Sequence, residues 1–142
     1  MTPAALEDLA RLSRARQDAD AAKLQTIRAE EVKIRAQLAA LDARHRAAMT
    51  LSIQEKLSQQ RLGADMLWQV WVGRRRRELQ MHLARCLARK GGARRALQKS
   101  FGKRVALQEV QAEVEGKAER LEKLKAMETM TELGVLQNHQ RP

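Results

Sequence analysis

The chain has very little proline and few aromatic residues. Its two prolines, Pro3 and Pro142, stand at its extremities. Tyrosine is absent, and the aromatic residues are Trp68, Trp71 and Phe101. Proline is the strongest helix breaker. Since none stands between Pro3 and Pro142, no proline interrupts a helix in that stretch. The shortage of large aromatic side chains argues against the thick core of an ordinary globular domain.

The chain also lacks a second cysteine and any long apolar run. Cys86 is its one cysteine, so an internal disulfide is excluded, which fits a reducing compartment. No run approaches the roughly 20 apolar residues that a membrane-spanning helix needs. Residues 1–12 include Glu7 and Asp8 and lack the basic and apolar blocks of a secretory signal. We therefore expect a cytoplasmic protein.

The residues that are abundant are those of long helices. Ala, Leu, Gln, Glu, Lys and Arg dominate, which is the composition of coiled coils. Charged residues make up 32% of the chain, too many to surround one compact core of this size. Apolar residues recur at spacings of three and four. We predict an all-α protein that forms a single long antiparallel two-helix coiled-coil hairpin.

The apolar pattern divides this hairpin into four segments. Thr2 and Pro3 are residue types that favour an N-cap and a first helical position. The pattern fails after Met49 and resumes after Asp65, so the chain is expected to turn back on itself between them. We predict a first arm, a connection, a second arm and a frayed tail over residues 2–49, 50–65, 66–132 and 133–142.

Local features refine these limits. Ser52–Glu55 has the form of a capping box, which can start a short helix within the connection. Gly63 supplies a helix stop, and Asp65 supplies a new N-cap. The pair Gly91-Gly92 costs about 1 kcal/mol per glycine in a helix interior. It marks either a bend or a place where another backbone approaches closely.

Each arm carries an apolar seam. The regular part of the first seam consists of Leu24, Ile27, Ile34, Leu38 and Leu41. It is preceded by a stripe in a shifted frame, made of Leu6, Leu9, Leu12, Ala15, Ala19 and Ala22. Such a shift predicts a stutter in the coiled coil. The second seam runs from Trp68 to Leu124 with its weakest part around Lys90.

No enzyme signature is present in the sequence. Gly91-Gly92 is not a phosphate-binding loop, because no strand precedes it. His82 and Cys86 stand four residues apart and could supply two metal ligands, but nothing at suitable spacing supplies the others. Cys86 also falls on the apolar seam, which favours a structural role. We predict a protein without catalytic residues, cofactor or metal.

The net charge of +11 is concentrated in one stretch. Within residues 67–108 Glu78 is the one acidic residue, while the flanking stretches are nearly balanced. One interpretation is a solvated surface that keeps a coiled coil from aggregating; the other is a surface for an anionic partner. Nucleic acid, anionic lipid and an acidic protein are the candidate partners. The candidate basic residues are Arg74, Arg75, Arg76, Arg77, Arg85, Arg89, Arg94, Arg95 and Lys99.

Apolar residues form two further candidate binding surfaces. Trp68 and Trp71 open the second arm, and they either cover the core near the turn or leave one indole exposed as an anchor for a partner. Because the second arm is longer than the first, its end is expected to lack an internal partner. The stripe there consists of Leu121, Leu124, Met127 and Met130.

These residues resemble the FliJ family of bacterial flagellar type III export proteins and its YscO-type injectisome relatives. The resemblance covers most of the chain and rests on the basic two-arm coiled coil without internal prolines. It includes the aromatic-Gln-x-aromatic-aliphatic start of the second arm, Trp68-Gln69-Val70-Trp71-Val72. It also includes Met130-Thr131-Glu132-Leu133, in which Thr131 departs from the acidic residue of the family pattern.

The resemblance implies a non-enzymatic stalk and adaptor. FliJ-like proteins insert a coiled coil into the export ATPase ring, promote its assembly, and contact the export gate protein and the export chaperones. It implies a cytoplasmic location, peripheral at the inner membrane through the export apparatus. The alternative class is a basic coiled-coil protein that binds nucleic acid or an anionic membrane surface.

Overall fold

Two long helices make up the described chain. A computed structural model describes residues 2–50 and 59–141. Helix α1 spans Pro3–Met49, helix α2 spans Gln59–His139, and the described residues contain no strand. The two helices pack against each other, which confirms the predicted all-α helical hairpin. Neither helix, over its described residues, has a stretch apolar enough to cross a membrane.

The start of α1 agrees with the predicted cap. The backbone N–H of Ala5 donates a hydrogen bond to the Thr2 hydroxyl at 3.3 Å. The N–H of Leu6 donates to the Thr2 carbonyl oxygen at 3.2 Å, which closes the first helical turn. Pro3 follows as the first helical residue, where its missing N–H costs nothing. Thr2 is therefore the N-cap of α1.

The limits of α2 correct the predicted limits of the second arm. The helix begins at Gln59 and ends at His139, whereas the pattern predicted 66–132 followed by a frayed tail. Gly63 and Asp65 lie inside the helix, so they neither stop nor start it. A single glycine costs only about 1 kcal/mol, and the surrounding helix formers override it. The short helix predicted at Ser52–Glu55 lies outside the described residues.

The chain divides into two compact units. One, here called the terminal unit, combines Met1–Gln17 with Lys99–Pro142. The other, the central unit, is Asp18–Gln98. Each unit contains a part of α1 and a part of α2, so each has its own interhelical seam.

The seam of the central unit contains two apolar clusters. In one, Leu24 and Ile27 of α1 are buried with Cys86 and Ala93 of α2, and Ile34 and Leu97 pack against them. In the other, Leu41 is buried with Val72 and Leu79, and Leu38 and Trp68 pack against them. The buried residues of α2 are seven positions apart, which is the repeat of coiled-coil packing.

The same unit shows that the helices run antiparallel. Asp42, late in α1, contacts Arg76, early in α2. Glu30, earlier in α1, contacts Arg89, later in α2. Residue numbers that rise on one helix while they fall on the other define an antiparallel pair.

The terminal unit has a thinner seam. Leu6 and Ser100 are buried there. The Arg104 guanidinium donates to the Gln17 side-chain oxygen at 2.9 Å, and the Gln111 amide donates to the Leu6 carbonyl oxygen at 3.5 Å. These contacts are again antiparallel. From residue 117 to residue 141 every side chain is exposed.

The seam of α1 in the terminal unit corrects the predicted stutter. Its inward positions are Leu6, Ala10, Ser13 and Gln17, which keep the spacing of four and three residues. Leu9, Leu12 and Ala15 are exposed, and so are the last two alanines of the shifted stripe, Ala19 and Ala22, which belong to the central unit. The pattern was wrong here because it followed apolar residues, while this seam contains a serine and a glutamine.

Gly91 and Gly92 lie inside α2, and neither breaks it. No described glycine has a positive φ angle. A Cβ on Gly92 would meet nothing within 4 Å, and a Cβ on Gly91 would meet only the flexible Arg95 guanidinium at 3.9 Å. A close backbone approach therefore does not explain this glycine pair.

Replacing both glycines with alanine should therefore stabilise the protein. We expect Gly91→Ala and Gly92→Ala each to raise the free energy of unfolding by up to about 1 kcal/mol, because alanine is the better helix former. Urea unfolding followed by circular dichroism measures this change. A loss of stability in either variant would show that the glycine is required by a contact.

Candidate functional site

Part of the basic tract forms ion pairs between the two helices. The Arg76 guanidinium lies 2.6 Å from the Asp42 carboxylate, and Arg89 forms an ion pair with Glu30. The Lys90 ammonium, which was not among the predicted partner-binding residues, lies 2.7 Å from the Glu31 carboxylate. Arg76 and Arg89 thus contribute to interhelical contacts. Two of the predicted binding residues therefore already have an anionic partner on α1, although both side chains stay partly exposed.

Glu31 is the most enclosed acidic side chain of this seam. It occupies an inward position of α1 and is buried. Its carboxylate accepts hydrogen bonds from Lys90 of α2 and from Arg35, one turn later on α1, at 2.7 Å and 3.0 Å. The hydrogen bond from Lys90, followed by that from Arg35, holds the pKa of Glu31 below its ordinary value of 4.5, against the opposing effect of burial.

This lowered pKa predicts an acid-sensitive contribution to stability. The contacts of the ionised Glu31 stabilise the fold fully above pH 4.5, and this contribution is lost as the pH falls toward the lower pKa of the folded state. A Glu31→Gln variant should be less stable than the wild type at neutral pH, and the difference should shrink in acid. Urea unfolding from about pH 3 to pH 7 tests this. A difference that does not change with pH would contradict it.

The remaining cations of the tract have different surroundings. Arg75 pairs with Glu78 one turn away at 3.3 Å, and Arg77 donates to the Gly73 carbonyl oxygen at 3.3 Å. The other five are exposed and form no ion pair with any residue of the described chain: Arg74, Arg85, Arg94, Arg95 and Lys99. These five are the cations most available to an anionic partner.

The four consecutive arginines should therefore respond differently to charge reversal. Arg76→Glu places a second carboxylate beside Asp42, so we expect a loss of about 1 kcal/mol in the free energy of unfolding. Arg74→Glu is the matched control and should change this free energy by less than about 0.5 kcal/mol. Chemical denaturation of both variants makes the comparison. Equal effects would show that the Asp42 contact does not stabilise the hairpin.

The two tryptophans divide between the core and the surface. Trp68 packs against the cluster of Leu41, Val72 and Leu79. Trp71 stacks on Trp68 with ring centroids 5.1 Å apart and remains 45% exposed. These positions agree with the interpretation that leaves one indole exposed and not with a cover formed by both, and the role of that indole as an anchor stays a prediction. Trp71 is the one that a partner can reach.

The apolar residues at the end of α2 are exposed but do not form one face. Leu121 and Leu124 are more than half exposed, and Met130 reaches 75%. The side-chain direction rotates around the helix along this set, because steps of three residues separate Leu121, Leu124, Met127 and Met130. Leu121 and Met130 are about two and a half turns apart and point to opposite sides. The predicted stripe is corrected to a band that winds around the helix.

Cys86 and His82 have separate environments. Cys86 is completely buried, and its thiol donates a hydrogen bond to the Ile27 carbonyl oxygen at 3.5 Å. His82 is exposed on the side of α2. Over residues 2–50 and 59–141, no group of three or more His, Cys, Asp and Glu side chains is arranged to hold a metal ion.

A groove between α1 and α2 was not anticipated by the sequence analysis. It lies in the central unit and has a volume of about 780 Å³. A smaller groove of about 200 Å³ shares Gln37, Arg75 and Leu79 with it and reaches Trp71 and Arg44. The lining residues of the larger groove are Glu30, Lys33, Ile34 and Gln37 of α1 and Arg75, Leu79, His82, Arg85, Ala88 and Arg89 of α2.

The sequence patterns do not predict the groove, because it depends on the relative placement of two helices. A seven-residue repeat shows which residues face inward, but not which outward neighbours come together across the seam. Comparison with known proteins adds no further guide, since no family model, curated protein or solved structure matches this chain. The resemblance to the FliJ family therefore rests on the residue patterns alone.

Proposed function

We propose that this chain is a non-enzymatic stalk and adaptor of the bacterial flagellar type III protein export apparatus. In this role it packs into the export ATPase ring, promotes the assembly of that ring, and contacts the export gate protein and the export chaperones. The observation that carries the proposal is the end of α2, residues 117–139, which is helical and exposed throughout. A helix that continues past its antiparallel partner suits insertion into another assembly.

The placement of the apolar residues on this end supports a surrounding partner. A contiguous band of exposed apolar side chains marks a candidate surface for another protein. Leu121 and Met130 are on opposite sides of α2, so a single flat surface cannot cover both. A ring that encloses the helix can. The winding band thus fits an axial position within a ring better than lateral attachment to one subunit.

The proposal predicts the effect of charge in this band. The double variant Leu121→Asp with Leu124→Asp should keep its helicity, because both side chains are exposed in the free protein. Its affinity for the export ATPase of the same organism should fall by more than about tenfold, since buried carboxylates would replace apolar contacts. Pull-down and the stimulation of ATP hydrolysis measure the loss.

The control is the single variant Leu67→Asp, which changes a more exposed leucine far from this end of α2. It should leave ATPase binding unchanged. If both variants bind as the wild type does, the end of α2 has no part in the interaction. If the wild type itself fails to bind the ATPase, the export role is excluded.

The exposed cations favour a second candidate function, binding of nucleic acid or an anionic membrane surface. Arg94, Arg95 and Lys99 are exposed and make no ion pair within the described part of the chain. Phosphate contacts would make such binding strongly dependent on salt. Titration with RNA and with phosphatidylserine vesicles at physiological salt separates this candidate from the export role, because a stalk protein should bind neither tightly.

A further inference from the structure

We propose that the groove between α1 and α2 in the central unit is a docking site for an acidic amphipathic helix of a partner protein. The groove uses none of the residues at the end of α2, so this inference goes beyond the export role and can be tested separately. It rests on the length of the groove, on its apolar floor and on the charges along its rim.

The length of the groove matches a helix. On α1 the lining residues run from Glu30 to Gln37, and on α2 they run from Arg75 to Arg89. The α1 side is therefore about 10 Å long and the α2 side about 21 Å, which correspond to about two and four helical turns. Helices pack 8–10 Å apart by placing side chains between those of their neighbours. A third helix laid along the two would complete such a bundle.

The floor of the groove is apolar. Ile34 of α1 and Leu79 and Ala88 of α2 are its apolar lining residues, and Leu79 is almost fully buried against Leu41 and Val72. Ile34 also packs against the Leu24 and Cys86 cluster, so its position is held by the core. The carbon stems of the long basic residues extend the apolar surface at the edges. A partner helix would gain by placing an apolar stripe on this floor.

The rim of the groove is basic. It carries Lys33, Arg75, Arg85 and Arg89. Arg89 is paired with Glu30, the one acidic lining residue, and Arg75 is paired with Glu78, so Lys33 and Arg85 are the cations of the rim that pair with no described residue. The smaller groove beside it adds Arg44. Side chains that flank the apolar stripe of a docked helix would meet these cations. Charge complementarity therefore selects a helix with Asp and Glu along both flanks.

A bare polyanion fits these features less well. It would satisfy the cations but would leave the apolar floor exposed to water, and it would find equally free cations outside the groove, such as Arg94 and Arg95. Binding to the groove should instead require both an apolar stripe and acidic flanks in the ligand. Peptide design can separate these two requirements.

The test uses the full chain and a synthetic peptide of about six turns that carries a leucine stripe flanked by glutamates. Fluorescence anisotropy of the labelled peptide measures the affinity. The comparison peptide has the same composition in an order that scatters the leucines around the helix. We expect the first peptide to bind at least about tenfold more tightly than the second. Equal binding, or no binding of either peptide, would overturn the proposal.

Matched variants locate the site. Arg75→Glu with Arg85→Glu reverses two rim charges, and Arg94→Glu with Arg95→Glu reverses two exposed charges that do not line the groove. The rim variant should weaken peptide binding by at least about tenfold, and the other by less than about twofold. Equal weakening would assign the binding to overall charge and reject the groove. Circular dichroism confirms that both variants stay helical.

Two tryptophan substitutions test whether the peptide occupies the groove. Ala88→Trp adds bulk at a residue that lines the groove, while Ala84→Trp adds the same bulk at an exposed residue outside its lining. Only the first should abolish binding of the leucine-glutamate peptide. If Ala88→Trp binds the peptide as well as the wild type does, the peptide does not lie in the groove and the proposal fails.

Discussion

The contact between Glu31 and Lys90 shows most clearly what the hairpin depends on. Both residues occupy inward positions of the seam, where an apolar pair would be usual. Lys90 of α2 and Arg35 of α1 satisfy the buried carboxylate of Glu31 together. A shift of one helix along the other would leave this carboxylate without its partner from α2, which is costly. The pair therefore favours one alignment of α1 and α2 over its alternatives, as polar residues do in coiled coils.

This alignment has consequences outside the seam. Once Glu31 and Lys90 face each other, Glu30 reaches Arg89, and Asp42 reaches Arg76. The acids of α1 thus neutralise selected cations of α2, while Arg85 and the pair Arg94 and Arg95 stay free. The same alignment brings together the side chains that line the groove. The candidate docking surface is therefore a product of the seam.

The sequence patterns predicted the helices more accurately than their ends. The absence of proline between the two ends of the chain and the 3-4 spacing predict two antiparallel helices, and the fold confirms them. The predicted stop at Gly63 and the predicted frayed tail after Glu132 were wrong, because one unfavourable residue is outweighed by many good helix formers. The predicted stutter near Leu9 was wrong for a different reason. In the terminal unit Ser13 and Gln17 take inward positions, and no hydrophobicity pattern can indicate a polar residue inside a seam.

The order of residues is enough to predict four features, because they follow from local chemistry. These are the helical content, the antiparallel pairing, the N-cap at Thr2 and the concentration of positive charge. The division of the cations into interhelical partners and free side chains needs the packed helices, since Arg74 and Arg76 are chemically identical and differ only in what lies across the seam. The exposure of Trp71 and the groove beside Ile34 and Leu79 likewise become evident only once the two helices are packed. Distances between residues far apart in the chain are set by packing, and packing is cooperative.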